Sequence, residues 1–408
     1  MIIAEIVPDR DRRKMRRITR VLYRGAAVAM AAVLAVTLVP QPARAAIGII
    51  MTVTEEEGGY EPRFPSFVEI QDADDRIMAV WHRALEHSSA VGRIELSFFD
   101  PTTNTWDGPV PALNKQTPWA NIDTRDPNLT RMRDGKVIMT FFAQGKVYYS
   151  YWQAPWTRFT DPVELRVAGM PASVATHGSV LPLTNAGTSV DEVLIPFYAD
   201  GSNGGSYYLR AKYQPGTSTL LNPQSFRRII ANDDSPATEN LRYTEPSFVQ
   251  VGDTVVAGIR AEAILASPPA GQEGRHARAF VLARWNAYSD TADFTIQRPL
   301  INGSGFLASS HHLLKVGDPS DPDIFLTYGN RYDYSHRPTR GVLFDNPLGA
   351  TWSATVTKQL YDSGHYDQAN PSSIERERDW YWTLGFNVNA SSANYAKLQI
   401  VRSQRVDF

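Results

Sequence analysis

Pro65-Ser66-Phe67 returns along the chain as Pro246-Ser247-Phe248 and, altered, as Pro127-Asn128-Leu129, Gly178-Ser179-Val180, Ser309-Ser310-His311 and Pro371-Ser372-Ser373. The phrase is a proline or glycine, a small polar residue, and then a strand-like run. Its second positions fall at 66, 128, 179, 247, 310 and 372, at intervals of 62, 51, 68, 63 and 62 residues. Repetition at a steady spacing marks a repeat architecture. It outranks the two or three domains that 408 residues would otherwise suggest.

Working outward, each phrase is followed by a turn and a second apolar run. Asp134-Gly135 precedes residues 136–142, Gly252-Asp253 precedes 254–259, and Arg378-Asp379 precedes 380–386. Turn residues between short β-branched or aromatic runs predict hairpins. A third run follows in each unit (94–99, 147–152, 207–213, 279–285, 341–344, 396–401), and most units add a fourth. Four strands in each of six units predict an all-β, six-bladed β-propeller with four-stranded blades. The sixth unit lacks room for its fourth strand before Phe408, while an unpaired apolar run, 47–53, precedes the first. That N-terminal run is expected to close the last blade, leaving no ring edge unpaired. Residues 46–408 are read as one domain.

Residues 1–45 read as an export signal. Arg16, Arg17, Arg20 and Arg24 precede an apolar stretch at 25–39, and Ala43-Arg44-Ala45 supplies a small-x-small cleavage site. Met15 suits as the true start. The apolar stretch is short for a bilayer span, which takes about 20 residues. A secreted, extracellular protein with no membrane span in its mature chain is expected. The segment holds nine basic and three acidic residues, so a full-chain net charge of −2 becomes −8 once it is removed. An acidic chain argues against nucleic acid as partner. There is no cysteine, which excludes disulfides and thiolate metal sites.

The phrases Glu61-Pro62-Arg63-Phe64-Pro65-Ser66, Arg125-Asp126-Pro127-Asn128-Leu129 and Tyr243-Thr244-Glu245-Pro246-Ser247 resemble the inner-strand phrases of the sialidase-like (neuraminidase, BNR-repeat-like) propeller superfamily. The resemblance covers most of the chain. It implies an exo-acting, retaining glycoside hydrolase with three arginines for a substrate carboxylate, an aspartate acid/base, and a tyrosine nucleophile aided by a glutamate. It implies no metal or other cofactor in the chemistry. Position by position, Asp126 takes the acid/base place, Glu245 the glutamate's and Tyr366 the nucleophile's. Arg63, Arg260 and Arg331 take the arginine places. The chain departs from the pattern in two ways. No tyrosine adjoins Asn370-Pro371-Ser372, and the Asp boxes are absent; Ser97-Phe98-Phe99-Asp100 with Trp106 is a loose echo.

Read without the resemblance, the same residues point the same way. Inner strands of a propeller converge on its axis, so Arg63, Asp126, Glu245 and Asp367 meet although they lie far apart in sequence. Cleaving a glycoside needs one group to protonate the leaving oxygen and another to attack or to activate water. Arginine forks suit a carboxylate. Trp81 and Tyr243 are expected to stack on sugar. His82, His177, His311, His312, His336 and His365 fall in different units with no His-x-His or His-Glu-x-x-His motif, so no metal is expected. The partner is therefore a glycan or glycoconjugate, with the protein a monomer. Two other readings stand beside this one. The first is a propeller glycosidase that uses two carboxylates on a neutral or uronic sugar. The second is a carbohydrate-binding propeller without turnover.

Overall fold

The computed structural model describes residues 47–408 apart from 71, 73–74, 86–91, 114–121, 186–187, 233–240, 265–274, 292, 302, 304–306, 331–336, 355, 363–368 and 389–395. The segment read as an export signal lies outside the described residues. Among the described residues no helix is long and apolar enough to cross a membrane.

Six antiparallel sheets follow one another as blades. Their innermost strands run from Glu61–Glu69, Thr124–Arg131, Val174–Ala175 with Leu181–Asn185, Arg242–Val251, Ala308–Asp318 and Ala369–Glu377. Blade six takes its outermost strand, Gly48–Glu55, from the start of the described chain; it pairs antiparallel with Ala396–Gln404. Arg83 of blade one secures this closure. Its guanidinium is buried, ion-paired with Glu95, and donates to the carbonyls of Glu55 and Tyr60, both at 3.1 Å.

The apolar core is divided among the seams between blades. One cluster joins blades two and three (Ile138, Tyr149, Val193, Leu209), the next joins three and four (Leu194, Tyr208, Ile259, Trp285), and another joins one and six (Phe67, Trp81, Leu384, Leu398). The five–six seam is leaner. It is filled by Phe325 stacked on Tyr381 with ring centroids 4.5 Å apart, and by Phe408 against Phe325.

The repeated phrase has a physical reason. In five blades the inner strand carries one extra residue at the same place. Between the facing pairs Arg63–His82 and Ser66–Val80 the inner strand advances three residues and its partner two. The same bulge lies between Arg125 and Asn128, Thr244 and Ser247, Ser309 and His312, and Ala369 and Ser372. Its first residue is left-handed each time: Phe64 (φ 49°), Asp126 (48°), Glu245 (54°), Ser310 (46°) and Asn370 (47°). Proline follows at 65, 127, 246 and 371 because a bulge on a sheet edge needs no ladder donor there. Blade three instead advances six residues against four between Ala175–Tyr198 and Leu181–Leu194, and turns on Gly178 (φ 83°).

The serine after the proline joins the blades. The hydroxyls of Ser66, Ser247 and Ser372 accept from the backbone amides of Leu129, Leu313 and Phe67, each in the next blade, at 3.0, 3.3 and 3.4 Å. These donors lie on the inner sheet edge and would otherwise be buried unpaired. In blade five the matching position after the bulge is His312, so the serine at 310 is the left-handed residue and not the counterpart of Ser66. Ser66→Ala strands the Leu129 amide and is expected to cost about 1–3 kcal/mol. The measurement is a lower urea midpoint at unchanged slope; an unmoved midpoint would remove this hydroxyl from the account of blade cohesion.

Candidate active site at the propeller axis

The bulges turn equivalent residues toward the axis. Phe64, Asp126, His177, Gly178, His311 and Asn370 line a narrow cleft there. The second strands supply another set at matched positions. Facing the residue just before each bulge are His82, Phe142, Tyr198, Arg260, Gly329 and Phe386. Blades three and four thus set a phenol and a guanidinium beside the bulge acids.

Glu245 is the best-held group. One carboxylate oxygen accepts from Arg260 Nη1 at 2.6 Å and the other from the Ser310 backbone amide at 2.7 Å. Arg260 also pairs with buried Glu262 at 2.8 Å. Burial alone would raise the Glu245 pKa, but the Arg260 charge, the nearby His177 and the Ser310 amide outweigh it and hold the carboxyl well below the usual carboxylate range. Asp126 goes the opposite way. Burial first, and then the negative charge of Glu245, push it up to about 8. Tyr198 lies in the same field, and burial followed by the charges of Asp126, Glu245 and Glu262 raises its phenol well above the ordinary value. At neutral pH the axis therefore presents a protonated aspartic acid, an ionised glutamate and a neutral phenol.

Three further side chains meet this group: His177 and His311, which adjoin or belong to the repeated phrase, and Arg337, which has no local sequence signal. Arg337 is buried, with Nη1 3.4 Å from the Ser310 hydroxyl. It fits because residue 329 is glycine; a Cβ there would lie 2.8 Å from the Arg337 Cδ. His177 arrives on the two-residue insertion of blade three, and its Nε2 donates to the His311 carbonyl at 2.9 Å. His311 is itself buried, and its Nε2 donates to the Gly258 carbonyl at 2.8 Å.

The structure turns two of the other predicted residues, Trp81 and Tyr243, into the seams between blades. Arg63 pairs with Glu61 and sits 5.0 Å over the Phe386 ring, toward blade six. Trp81 is fully buried in the one–six seam and donates to Glu95 at 3.1 Å. Tyr243 is buried in the three–four seam. Neither ring is open to stack on a sugar: each strand turns alternate residues to the seam, and these two fall on that side. Tyr366, Asp367 and Arg331 lie outside the described residues. His82 is buried and bonded to Asp123 at 3.1 Å, with residue 92 a glycine because a Cβ there would lie 2.0 Å from the His82 Nε2.

A roomier groove of about 640 Å³ lies away from the axis, lined by Asp191, Glu192, Lys212, Tyr213 and Tyr288 among others. Its acids are occupied by ion pairs, Asp191 with Arg133 and Glu192 with Arg210. None of the inner-strand bulge residues lines it, so the axis, where Asp126 and Glu245 share one field, is the better candidate despite its smaller space.

No protein-family profile matches the chain, and no curated protein sequence matches it. Solved structures do. A protein of unknown function from Dyadobacter fermentans superposes with a TM-score of 0.63 at 13% identity, over 87% of this chain and 99% of that one. Trypanosoma rangeli sialidase in complex with sialic acid gives 0.55 at 10% identity, over 88% of this chain and 57% of that one, so the chain spans little more than half of that sialidase. An α-L-arabinofuranosidase from Fusarium graminearum, bound to an iminosugar inhibitor, gives 0.55 at 10% identity over 88% and 99%. At such identities the likeness is one of fold. The chain shares the six-bladed fold of sialidase-like propellers, and its chemistry has to come from its own residues.

Proposed function

We propose that the protein is a glycoside hydrolase whose reaction takes place at the axis, with Asp126 as general acid and Glu245 as the ionised carboxylate that directs attack. One observation carries the reading: two neighbouring carboxyls are driven to opposite protonation states, Asp126 up to about 8 and Glu245 well below the carboxylate range. That split is what acid-assisted glycoside cleavage requires. A sugar-binding propeller without turnover has no need of a protonated acid beside a charged one.

Asp126 gives its proton to the departing glycosidic oxygen. In the retaining course, Tyr366, in the segment ahead of blade six, attacks the anomeric carbon while Glu245 draws off its proton; water then displaces the tyrosine with Asp126 as base. Arg63, Arg260, Arg331 and Asp367 complete the substrate contacts of that reading. Arg260 favours a second course. Its guanidinium already answers two carboxylates, Glu245 and Glu262, which leaves it less pull on a substrate carboxylate and supports a neutral or uronic sugar with Glu245 acting on water. Residues 1–45 would direct the enzyme out of the cell. The anomer released first, read by NMR, separates the two courses: retention supports the tyrosine, inversion the water.

Asp126→Asn is expected to lower kcat by about 10²–10⁴-fold on substrates with poor leaving groups and far less on activated aryl glycosides. Glu245→Gln should impair both kinds. Equal loss on every leaving group in Asp126→Asn would remove Asp126 as the acid.

Activity should fall as pH rises through about 8, where Asp126 loses its proton. Stability follows with a fixed sign. The folded-state pKa lies above the ordinary value of 3.8, so folding takes up a proton between these pH values and stability declines as pH rises across that window. Asp126→Asn removes the decline. Its melting temperature should match the wild type near pH 4 and exceed it by several degrees near pH 8; parallel curves would mean that Asp126 is not held protonated.

A further inference from the structure

His177, Glu245 and His311 come from three blades, yet each places a ligand-capable atom within 4.8 Å of the other two. The arrangement is built. Residue 178 is a glycine because a Cβ there would lie 2.7 Å from the Pro246 carbonyl; this lets the blade-three insertion approach Glu245-Pro246 closely enough to deliver His177. Residue 258 is also a glycine: a Cβ there would lie 2.7 Å from the Phe280 ring and 3.1 Å from the His311 Nε2 that donates to the Gly258 carbonyl.

The hydrogen bonds fix which ring nitrogens are available. A carbonyl only accepts, so the His177 Nε2 facing His311 O and the His311 Nε2 facing Gly258 O both carry hydrogen. In the neutral rings the lone pairs then sit on Nδ1. The His311 Nδ1 is buried with no hydrogen-bond partner, in a side chain 1% exposed. An imidazole pinned through one nitrogen by a backbone carbonyl is the outer-shell arrangement of metal-ligating histidines. The third donor is prepared too: the Arg260 and Ser310 contacts fix the Glu245 carboxylate while each oxygen keeps a lone pair.

The geometry points to a divalent metal site formed by His177, His311 and Glu245, taking a borderline first-row ion such as Zn²⁺ through two imidazole nitrogens and one carboxylate oxygen. Two nitrogen donors select such an ion over Ca²⁺ or Mg²⁺, which want oxygen. Three protein ligands leave a position for water or a substrate oxygen, and Asp126 lines the same cleft as both histidines. No local motif announces the site, because the ligands lie 68 and 66 residues apart along the chain. It departs from the metal-free expectation of the sequence, and it does not depend on the hydrolase reading.

The test uses the purified protein stripped by a chelator, then titrated calorimetrically with Zn²⁺, Ca²⁺ and Mg²⁺. One equivalent of Zn²⁺ is expected, with Ca²⁺ and Mg²⁺ much weaker. His177→Ala and Glu245→Gln should each weaken Zn²⁺ by at least about 100-fold, more than the 10–100-fold typical of losing an outer-shell partner. Asp126→Asn should keep the equivalent while losing turnover, so that metal binding and hydrolysis fail separately. Circular dichroism establishes that the variants fold; should they not, Co²⁺ added to the wild type must give the visible d–d bands of a low-coordinate site. No tight equivalent in the wild type, unchanged affinity in folded His177→Ala, or Co²⁺ bands of the aquo ion alone would each overturn the proposal.

Discussion

The bulge in five of the six inner strands, replaced in blade three by a longer insertion, is the constraint on which the rest depends. One additional residue, held left-handed, reorients the chain just where six strands crowd the axis. The conformation is unfavourable for most residues, by about 1–3 kcal/mol each. Asp126 and Asn370 tolerate it through their short polar side chains, Gly178 adopts it freely, and Phe64 and Glu245 bear more strain. The seams outweigh that strain: Trp81, Tyr149, Tyr208 and Phe325 are fully buried between blades. Because the bulge also reverses which face a residue presents, it converts a strand built for packing into one whose first residues serve a site.

The fold was legible because the bulge leaves a signature. A proline survives in an inner strand only where no ladder donor is needed, and the following serine is there to receive the next blade's amide. Pro65-Ser66, Pro246-Ser247 and Pro371-Ser372 therefore advertise both the strand and its seam. Blade closure could be read from the unpaired run before blade one, and the Gly48–Glu55 strand occupies that place. The phrase misled where its chemistry changed. In blade five the visible serine, Ser310, is the bulge residue, and His312 stands where the others carry serine or asparagine.

The candidate site was legible only in part, for a related reason. Asp126 and Glu245 occupy the bulge itself and adjoin a proline, so the phrase points at them. Arg260 could be placed because it directly follows the apolar run 254–259 of the same blade, although the strand itself continues past it to Ile264. Tyr198, Glu262 and Arg337 could not, since their inclusion depends on cross-strand register, and a shift of one residue sends a side chain to the other face. That ambiguity is why Trp81 and Tyr243 looked like stacking platforms although both belong to seams. Arg337 needed one fact more: that Gly329 leaves the space a side chain would fill in the equivalent position of the other blades.

The electrostatics of the axis follow from the same geometry. Bulges in blades two and four bring Asp126 and Glu245 into one field, and a single guanidinium decides between them. Arg260 reaches Glu245 directly but is absent from the charges that most affect Asp126, where Arg125 is the cation and Asp123 opposes it. Glu245 therefore stays ionised, and its charge joins burial in keeping the proton on Asp126. Neither acid has that character by itself. Asp126 would be an ordinary carboxylate in solvent, and Glu245 without Arg260 would compete with it for the proton. The asymmetry belongs to blade four, whose second strand carries arginine where blade two carries Phe142. One substitution between equivalent positions of a repeat is enough to turn a symmetric ring into a site with a donor side and a charged side.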